Sequence, residues 1–254
     1  MMARNRPTLR QGVMIAVLLA LAVLPAVTGA FDQPFLLDLA LRVMILACAA
    51  VSLNLILGFG GMISFGHAAY IGIGAYAVGI PAYYSEYSGY IQLPIAIAAG
   101  ALFALVTGFV CLRTKGVYFI MITLAFAQMA YFAFVSIEEY GGDDGLVIDQ
   151  RSEFPGIINM EANLEFYYVV LAFLLGALFL VYRIVNARFG MVVQGAKGNE
   201  ARMQSLGFDT FRYRLACYVI AGAMAAAAGW LMGNYNYFFS PEMMDWTHSG
   251  ELLF

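Results

Sequence analysis

Long apolar runs decide what this chain can become. A helix needs about 20 apolar residues to cross roughly 30 Å of hydrocarbon, and irregular backbone facing lipid would leave its N–H and C=O groups unpaired. Runs of that kind recur at 13–30, 39–57, 62–80, 91–112, 117–137, 164–182 and 215–235. They predict an all-α fold, a polytopic transmembrane helical bundle of seven complete spans, with the start of an eighth near Ser249. Composition agrees, since 63% of the 254 residues are hydrophobic and 11% charged, against about 45–50% and 25% in soluble domains. A chain of this size encloses too little interior to hide that much apolar surface from water. A soluble enzyme and a disordered regulator are excluded, and a net charge of -3 offers nucleic acid no basic face. Cys48, Cys111 and Cys217 lie far apart inside apolar runs. They read as small core residues, with no disulfide framework or metal site among them.

Lys and Arg favour the cytoplasmic side of short loops, so their distribution orients the spans. Arg4, Arg6 and Arg10 precede the first run, and Arg113 and Lys115 separate the fourth from the fifth. Arg183, Arg188, Lys197, Arg202, Arg212 and Arg214 fill the connection 183–214. Opposite them, Glu138, Glu139, Asp143, Asp144, Asp149, Glu153, Glu161 and Glu165 face Arg151 alone. A cytoplasmic N-terminus, residues 1–12, with strict alternation through a permease domain 13–254 satisfies every loop, leaving 138–163 external. The third run must then cross, though its glycines predict a break. The first run has a second reading, a signal peptide ending near Thr28-Gly29-Ala30, which leaves the later topology unchanged.

Lipid gives no hydrophobic drive between helices, so small residues should mark their contacts. Gly100, Ala104 and Gly108 form one row at four-residue spacing, and Ala221, Ala225, Gly229 and Gly233 form another. Between Gly58 and Gly79 seven glycines fall in one short region with Ser64 and His67. Interrupted apolar segments of this kind line pathways in transporters, where unwound backbone faces a cavity; tight packing against a neighbour is the alternative. Asn54, Ser64, Gly66, His67 and Gln128 are therefore the candidate pathway residues, since polar groups at depth cost free energy facing lipid. A lone histidine serves equally as a hydrogen-bonded packing residue. No full-length run carries a central Asp, Glu or Lys, and Arg42 sits where it can snorkel.

The connection 183–214 is longer than two adjacent spans require. Asn199 is a good N-cap, Glu200 places a negative charge in a first turn, and Gly207 can close a helix at C′. They predict a short helix from Glu200 to Leu206. Two turns are unstable alone in water, so Met203, Leu206 and Phe208 should dock on something. The protein's own membrane-proximal face and a separate cytoplasmic subunit are both open, and basic loops also anchor on anionic membrane lipid.

Gln194-Gly195-Ala196-Lys197-Gly198-Asn199-Glu200-Ala201, followed by Leu206-Gly207 and Phe211-Arg212-Tyr213-Arg214-Leu215, resembles the coupling-loop segment of LivM-type permeases of bacterial ABC importers for branched-chain amino acids. Three further segments agree in order: Asn54-Leu55-Ile56-Leu57-Gly58 with Ser64-Phe65-Gly66-His67; Leu112-Arg113-Thr114-Lys115-Gly116-Val117; and Thr123-Leu124-Ala125-Phe126 with Tyr140-Gly141-Gly142-Asp143-Asp144-Gly145. The resemblance covers roughly residues 35–254. It implies a permease subunit of the inner membrane, itself no enzyme and binding no cofactor. Its implied partners are a second, LivH-like permease, two cytoplasmic ATPases that bind ATP, and a periplasmic substrate-binding protein. By the same resemblance Asn199, Glu200, Ala201, Met203, Leu206 and Gly207 form the coupling element that fits an ATPase cleft. Arg202 departs from the pattern, which would place a second alanine there. Similar permeases continue with further spans beyond Leu253, which predicts a C-terminally truncated sequence.

The chain has no phosphate-binding GxxxxGK[ST] loop, so energy must come from elsewhere. An ion-gradient-driven secondary transporter is the rival, favoured by the broken third run and opposed by the missing carboxylate at depth. An intramembrane enzyme would need a convergent nucleophile, base or metal cluster, which His67 alone does not supply. Branched-chain amino acids, urea, short amides and aromatic acids all remain open as cargo.

Overall fold

A computed structural model of the chain describes residues 9–31, 34–154 and 160–252; Arg4 and Arg6 of the charge argument lie outside them. Apolar runs become helices α1 (Leu9–Phe31), α2 (Pro34–Asn54), α3 (His67–Tyr83), α4 (Gly89–Cys111), α5 (Val117–Val135), α6 (Asn163–Val185) and α9 (Thr210–Asn236). Shorter helices α7 (Arg188–Gly198) and α8 (Glu200–Ser205) occupy the basic connection, and α10 (Trp246–Glu251) follows α9. A two-stranded antiparallel pair joins β1 (Leu146–Val147) to β2 (Phe238–Phe239), with Leu146 opposite Phe239.

Among the described residues five helical segments are long and apolar enough to cross a bilayer: Phe35–Phe59, Gly89–Cys111, Val117–Val135, Asn163–Val185 and Thr210–Asn236. The two other predicted spans are not among these five. The first is the 23-residue helix α1, of which Ala16–Ala26 is an apolar helical stretch among the described residues. In the third, α3 has 17 residues, about 26 Å at 1.5 Å per residue, because the glycine-rich stretch ahead of it is not α-helical. The segment near Ser249 predicted to open another span is α10, begun at Trp246 and capped by the Asp245 carboxylate, which accepts the Trp246 N–H at 2.8 Å.

That stretch is the irregular part of the bundle. After Asn54 the helix widens to a π-turn over Leu55–Phe59, and then 60–66 runs without helix until α3 begins at His67. π-turns are rare and cluster at functional places. The freed amides are taken inside the protein: Gly60 N–H donates to Leu55 O at 3.3 Å and Met62 N–H to Ile56 O at 3.0 Å. Phe65 N–H donates to Thr123 Oγ1 and Gly66 N–H to Ser64 Oγ, both at 3.3 Å. Gly61 turns the chain at φ +68, a conformation that side chains disfavour.

α3 and α9 form the centre. Most of α3 is buried, and Trp230, Tyr218, Ala221, Ala225 and Leu231 of α9 are fully enclosed. The row Gly100, Ala104, Gly108 packs α4 onto α9, where Tyr218, Gly222 and Ala226 receive it. The predicted α9 row instead faces α3: a Cβ on Gly229 would strike the carbonyl of Ile71, and one on Gly233 would lie 3.3 Å from Ala75 Cα. α9 therefore has two small-residue faces one position apart. Such close approach is what associates helices where lipid supplies no hydrophobic drive. Large side chains of the outer helices point away from the bundle, with Leu102, Met121, Phe132 and Phe179 all more than 60% exposed.

Charge sorts to the two ends. α9 begins beside Glu200 through Thr210 and Arg214 and ends beside Arg151 at Asn234. The end of α2 lies at the first of these, where Lys197 Nζ donates to Gly58 O at 2.7 Å. The end of α3 lies at the second, where the Tyr84 hydroxyl meets that of Tyr140 at 3.2 Å. A branched side chain cannot be absorbed where backbone meets backbone, so Gly229→Val is expected to exceed the about 1–3 kcal/mol typical of overpacking. Size-exclusion of the detergent-solubilised variant should lose its folded peak, whereas Gly176→Ala, with nothing within 4 Å, should keep it.

Candidate functional site

Two constellations stand out, one at the basic end and one around the break. At the basic end α8 is fully capped by local chemistry. The Asn199 side chain accepts the Arg202 N–H at 3.0 Å. At the other end Gly207, at φ +86, lets its own N–H reach Gln204 O at 2.9 Å and the Phe208 N–H reach Met203 O at 3.2 Å. This is the paired closure of a Schellman motif. The helix expected over Glu200 to Leu206 is thus Glu200–Ser205 with Leu206 as its cap.

One side of α8 is held by its own chain. Met203 packs at Gly195 of α7. The Glu200 carboxylate accepts from Lys115 Nζ and Thr210 Oγ1, and Arg214 Nη1 lies 3.4 Å from it. Ala201, Arg202, Ser205 and Leu206 remain outward, Leu206 being 65% exposed. Phe208 is only partly covered, its ring edge-on to Tyr213 at 6.3 Å.

The Lys115 hydrogen bond is the largest cause that holds the Glu200 carboxyl below the usual range; partial burial opposes it, and the charges of Arg214 and Lys115 add to the lowering. A carboxyl whose folded pKa is lowered contributes stability that is present above its ordinary pKa and lost as pH falls through the lowered value.

Around the break the polar side chains are buried and paired. Ser52 of α2 donates its hydroxyl to Ala49 O at 2.6 Å, so its oxygen accepts from His67 Nε2 at 2.7 Å. His67 is wholly enclosed, edge-on to Tyr70 at 5.6 Å, and its Nδ1 has no hydrogen-bond partner among the described residues. With Nε2 carrying the proton, Nδ1 is an acceptor. Tyr70 and Thr107 exchange a hydrogen bond at 3.1 Å, and Ser249 of α10 accepts the Ala68 N–H at 2.9 Å. A Cβ on Gly66 would sit 2.6 Å from Thr123 O. No group of three His, Cys, Asp or Glu that could hold a metal occurs among the described residues.

Residues 35–250 match the family described as branched-chain amino acid transport system, permease component. The chain belongs to that family. As a member it is a multi-pass helical membrane protein. It is 26% identical over 97% of its length to the high-affinity branched-chain amino acid transport system permease protein LivM of Escherichia coli, and 25% identical over 85% to LivM of Salmonella typhimurium. The chain spans 63% and 56% of the length of these two curated relatives. No solved structure matches it.

Within this bundle the candidate pathway residues separate. Ser64, Gly66 and His67 come together at the break with Thr123. Asn54 does not join them: it is exposed, two residues from Ser52, and two residues turn a helix by about 200°, so it faces away from His67's partner. Gln128 donates to Asp245 Oδ1 at 2.9 Å, tying α5 to the segment before α10.

Ser52, Tyr70 and Thr107 are further buried polar groups that the sequence marks only by the rule that singled out Ser64, a hydroxyl in an apolar run, and Ser249, expected to open a span, joins them through Ala68. Arg151 is the larger omission. Far from being a lone cation in acidic surroundings, it is 5% exposed. Its guanidinium donates to Asn234 O at 3.0 Å, Met160 O at 2.9 Å and Asn163 Oδ1 at 3.0 Å, over the rings of Phe166 and Tyr237. Beside it, Ser152 N–H donates to Asn234 Oδ1 at 2.7 Å, and its hydroxyl lies between the amide oxygens of Gln92 and Asn234.

Two outcomes follow from this geometry. Protection of the α8 amides, taken as exchange relative to the intrinsic rate at each pH, should begin to fall as pH drops below the ordinary carboxylate value and level off once it is below the lowered one, and Glu200→Gln should remove that fall. Ser52→Ala strands a buried N–H and is expected to cost about 1–3 kcal/mol, read as a lowered thermal midpoint in detergent, while Asn54→Ala stays within about 0.5 kcal/mol.

Proposed function

We propose that this chain is a transmembrane permease subunit of an ATP-driven importer that moves branched-chain amino acids across the bacterial inner membrane. Membership of the family and the names of its LivM relatives support the cargo class. One observation carries the mechanism: a two-turn helix, capped at both ends and braced from behind, turns Leu206 outward at the basic end of the bundle. An apolar side chain held out on a rigid mount is suited to a cleft in another protein.

Lys and Arg favour the cytoplasm, so this end is read as cytoplasmic, with residues 1–12 beside it, 183–214 as the coupling loop and 138–163 outside. α2 ends at the basic end and α3 at the acidic one, which supports counting α3 together with its break as a crossing, seven in all. α8 with Asn199, Glu200, Ala201, Met203, Leu206 and Gly207 is then the coupling element toward two ATPases, which hold the ATP. A LivH-like second permease completes the pathway, and a periplasmic protein delivers the substrate. Ser64, Gly66 and His67 lie where unwound backbone can border that pathway.

Two measurements test the proposal. Leucine uptake into vesicles should require the ATPase subunits and persist with an uncoupler while ATP is maintained; uptake by the chain without them would refute the importer. Gly207→Val forces a β-branched residue into the left-handed region, costing about 1–2 kcal/mol or more. Insertion should survive, whereas ATPase co-purification and uptake should be lost.

A further inference from the structure

Glu200 faces the wrong way for a residue that serves only a partner. It is the first residue of α8, yet its carboxylate is turned inward and engaged by Lys115, Thr210 and Arg214. Lys115 belongs to the short turn between α4 and α5, 85 residues away in sequence. Between that turn and α8 lies a cavity of about 340 Å³, bordered by Gly61, Ile63, Lys115, Val117, Glu200 and Arg214. With a void at this place, the Lys115–Glu200 pair bridges what side-chain packing leaves open.

Two routes lead inward from α8, and both end on the break. One passes through Lys115 to α5, whose Thr123 side chain accepts the Phe65 N–H and whose Thr123 carbonyl abuts Gly66. The other passes through α7, where Arg214 donates to Ala196 O at 3.0 Å and the adjacent Lys197 donates to Gly58 O at 2.7 Å. Gly58 and Gly66 flank the irregular stretch that precedes His67.

We propose that the Lys115–Glu200 pair is a strut through which displacement of α8 reaches α5 and the break, making Lys115 a positioning residue for coupling. The proposal rests on the importer reading. Lys115 is itself 73% exposed, so its substitution leaves the packed interior undisturbed. An isolated surface pair adds little to stability, so the strut is read out in coupling and not in melting temperature.

The test uses the chain assembled with its permease, ATPase and binding-protein partners in proteoliposomes, with leucine as solute. Lys115→Met keeps the aliphatic stem and removes the charge. The ATPases should co-purify as with the unsubstituted chain, while leucine moved per ATP hydrolysed falls at least about fivefold, the lower range of coupling between sites. Lys115→Arg should restore the ratio, and Lys115→Glu, set against Glu200, should lower it further. An unchanged ratio in Lys115→Met overturns the strut, as does failure of Lys115→Arg to restore it. Loss of ATPase co-purification in Lys115→Met also overturns it, making Lys115 a subunit contact. Failure of the unsubstituted chain to retain any ATPase overturns the importer reading and the strut with it.

Discussion

Backbone amides in an apolar slab have no water to bind, and among the described residues the bundle packs around a stretch, 60–66, where helix does not supply their partners. Over 60–66 the chain has left the α2 ladder and has not yet entered α3. The Phe65 and Gly66 amides are met by hydroxyls of Thr123 and Ser64, and those of Gly60, Gly61 and Met62 by carbonyls of the π-turn. Irregular backbone at depth is tolerated only inside protein or beside a cavity. The break therefore requires α5 against it, and α5 is held in turn by the Gln128–Asp245 hydrogen bond to the segment before α10.

Small residues make that enclosure possible. α9 lies against α3 on one side and α4 on the other because Gly74, Gly100, Gly222 and Gly229 each stand where a side chain would strike a neighbour. Large rings fill the remaining space, with Tyr70, Phe103 and Tyr218 meeting edge-on near His67. Close packing at the centre and an unwound stretch at its margin divide the bundle into a part held by continuous helical ladders and a part where two amides, of Phe65 and Gly66, rest on side chains. Side-chain hydrogen bonds are easier to exchange than a continuous helical ladder, which would suit the pathway role proposed for the break.

The two ends are built by opposite means. The acidic end is latched by Arg151, whose charge is buried among carbonyls, an amide and two aromatic faces. The desolvation cost of such an ion is offset only when its donors are satisfied, and here one guanidinium gathers the loop, the start of α6 and the end of α9. The basic end is looser: α8 is braced by one carboxylate over a cavity and by one methionine. A braced helix of two turns can be displaced as a body, which would suit the coupling contact proposed for it.

Residues close in sequence determined much of this. Apolar runs placed the long helices, and Asn199 and Gly207 placed the ends of α8, because capping and helical ladders act within about four residues. Glycine density marked the break for the same reason. What only the tertiary structure decided are contacts set by how each helix is rotated: Ser52 rather than Asn54 toward His67, Gly222 and Ala226 rather than the predicted α9 row toward α4, Gln128 toward Asp245, Glu200 inward to Lys115, Arg151 into the interior. Most join residues far apart in sequence, 83 positions for Arg151 and Asn234, 85 for Lys115 and Glu200 and 117 for Gln128 and Asp245. Neither local propensity nor spacing along one helix carries information about a partner helix's rotation, and that rotation is settled by how small and large side chains interlock once the bundle closes.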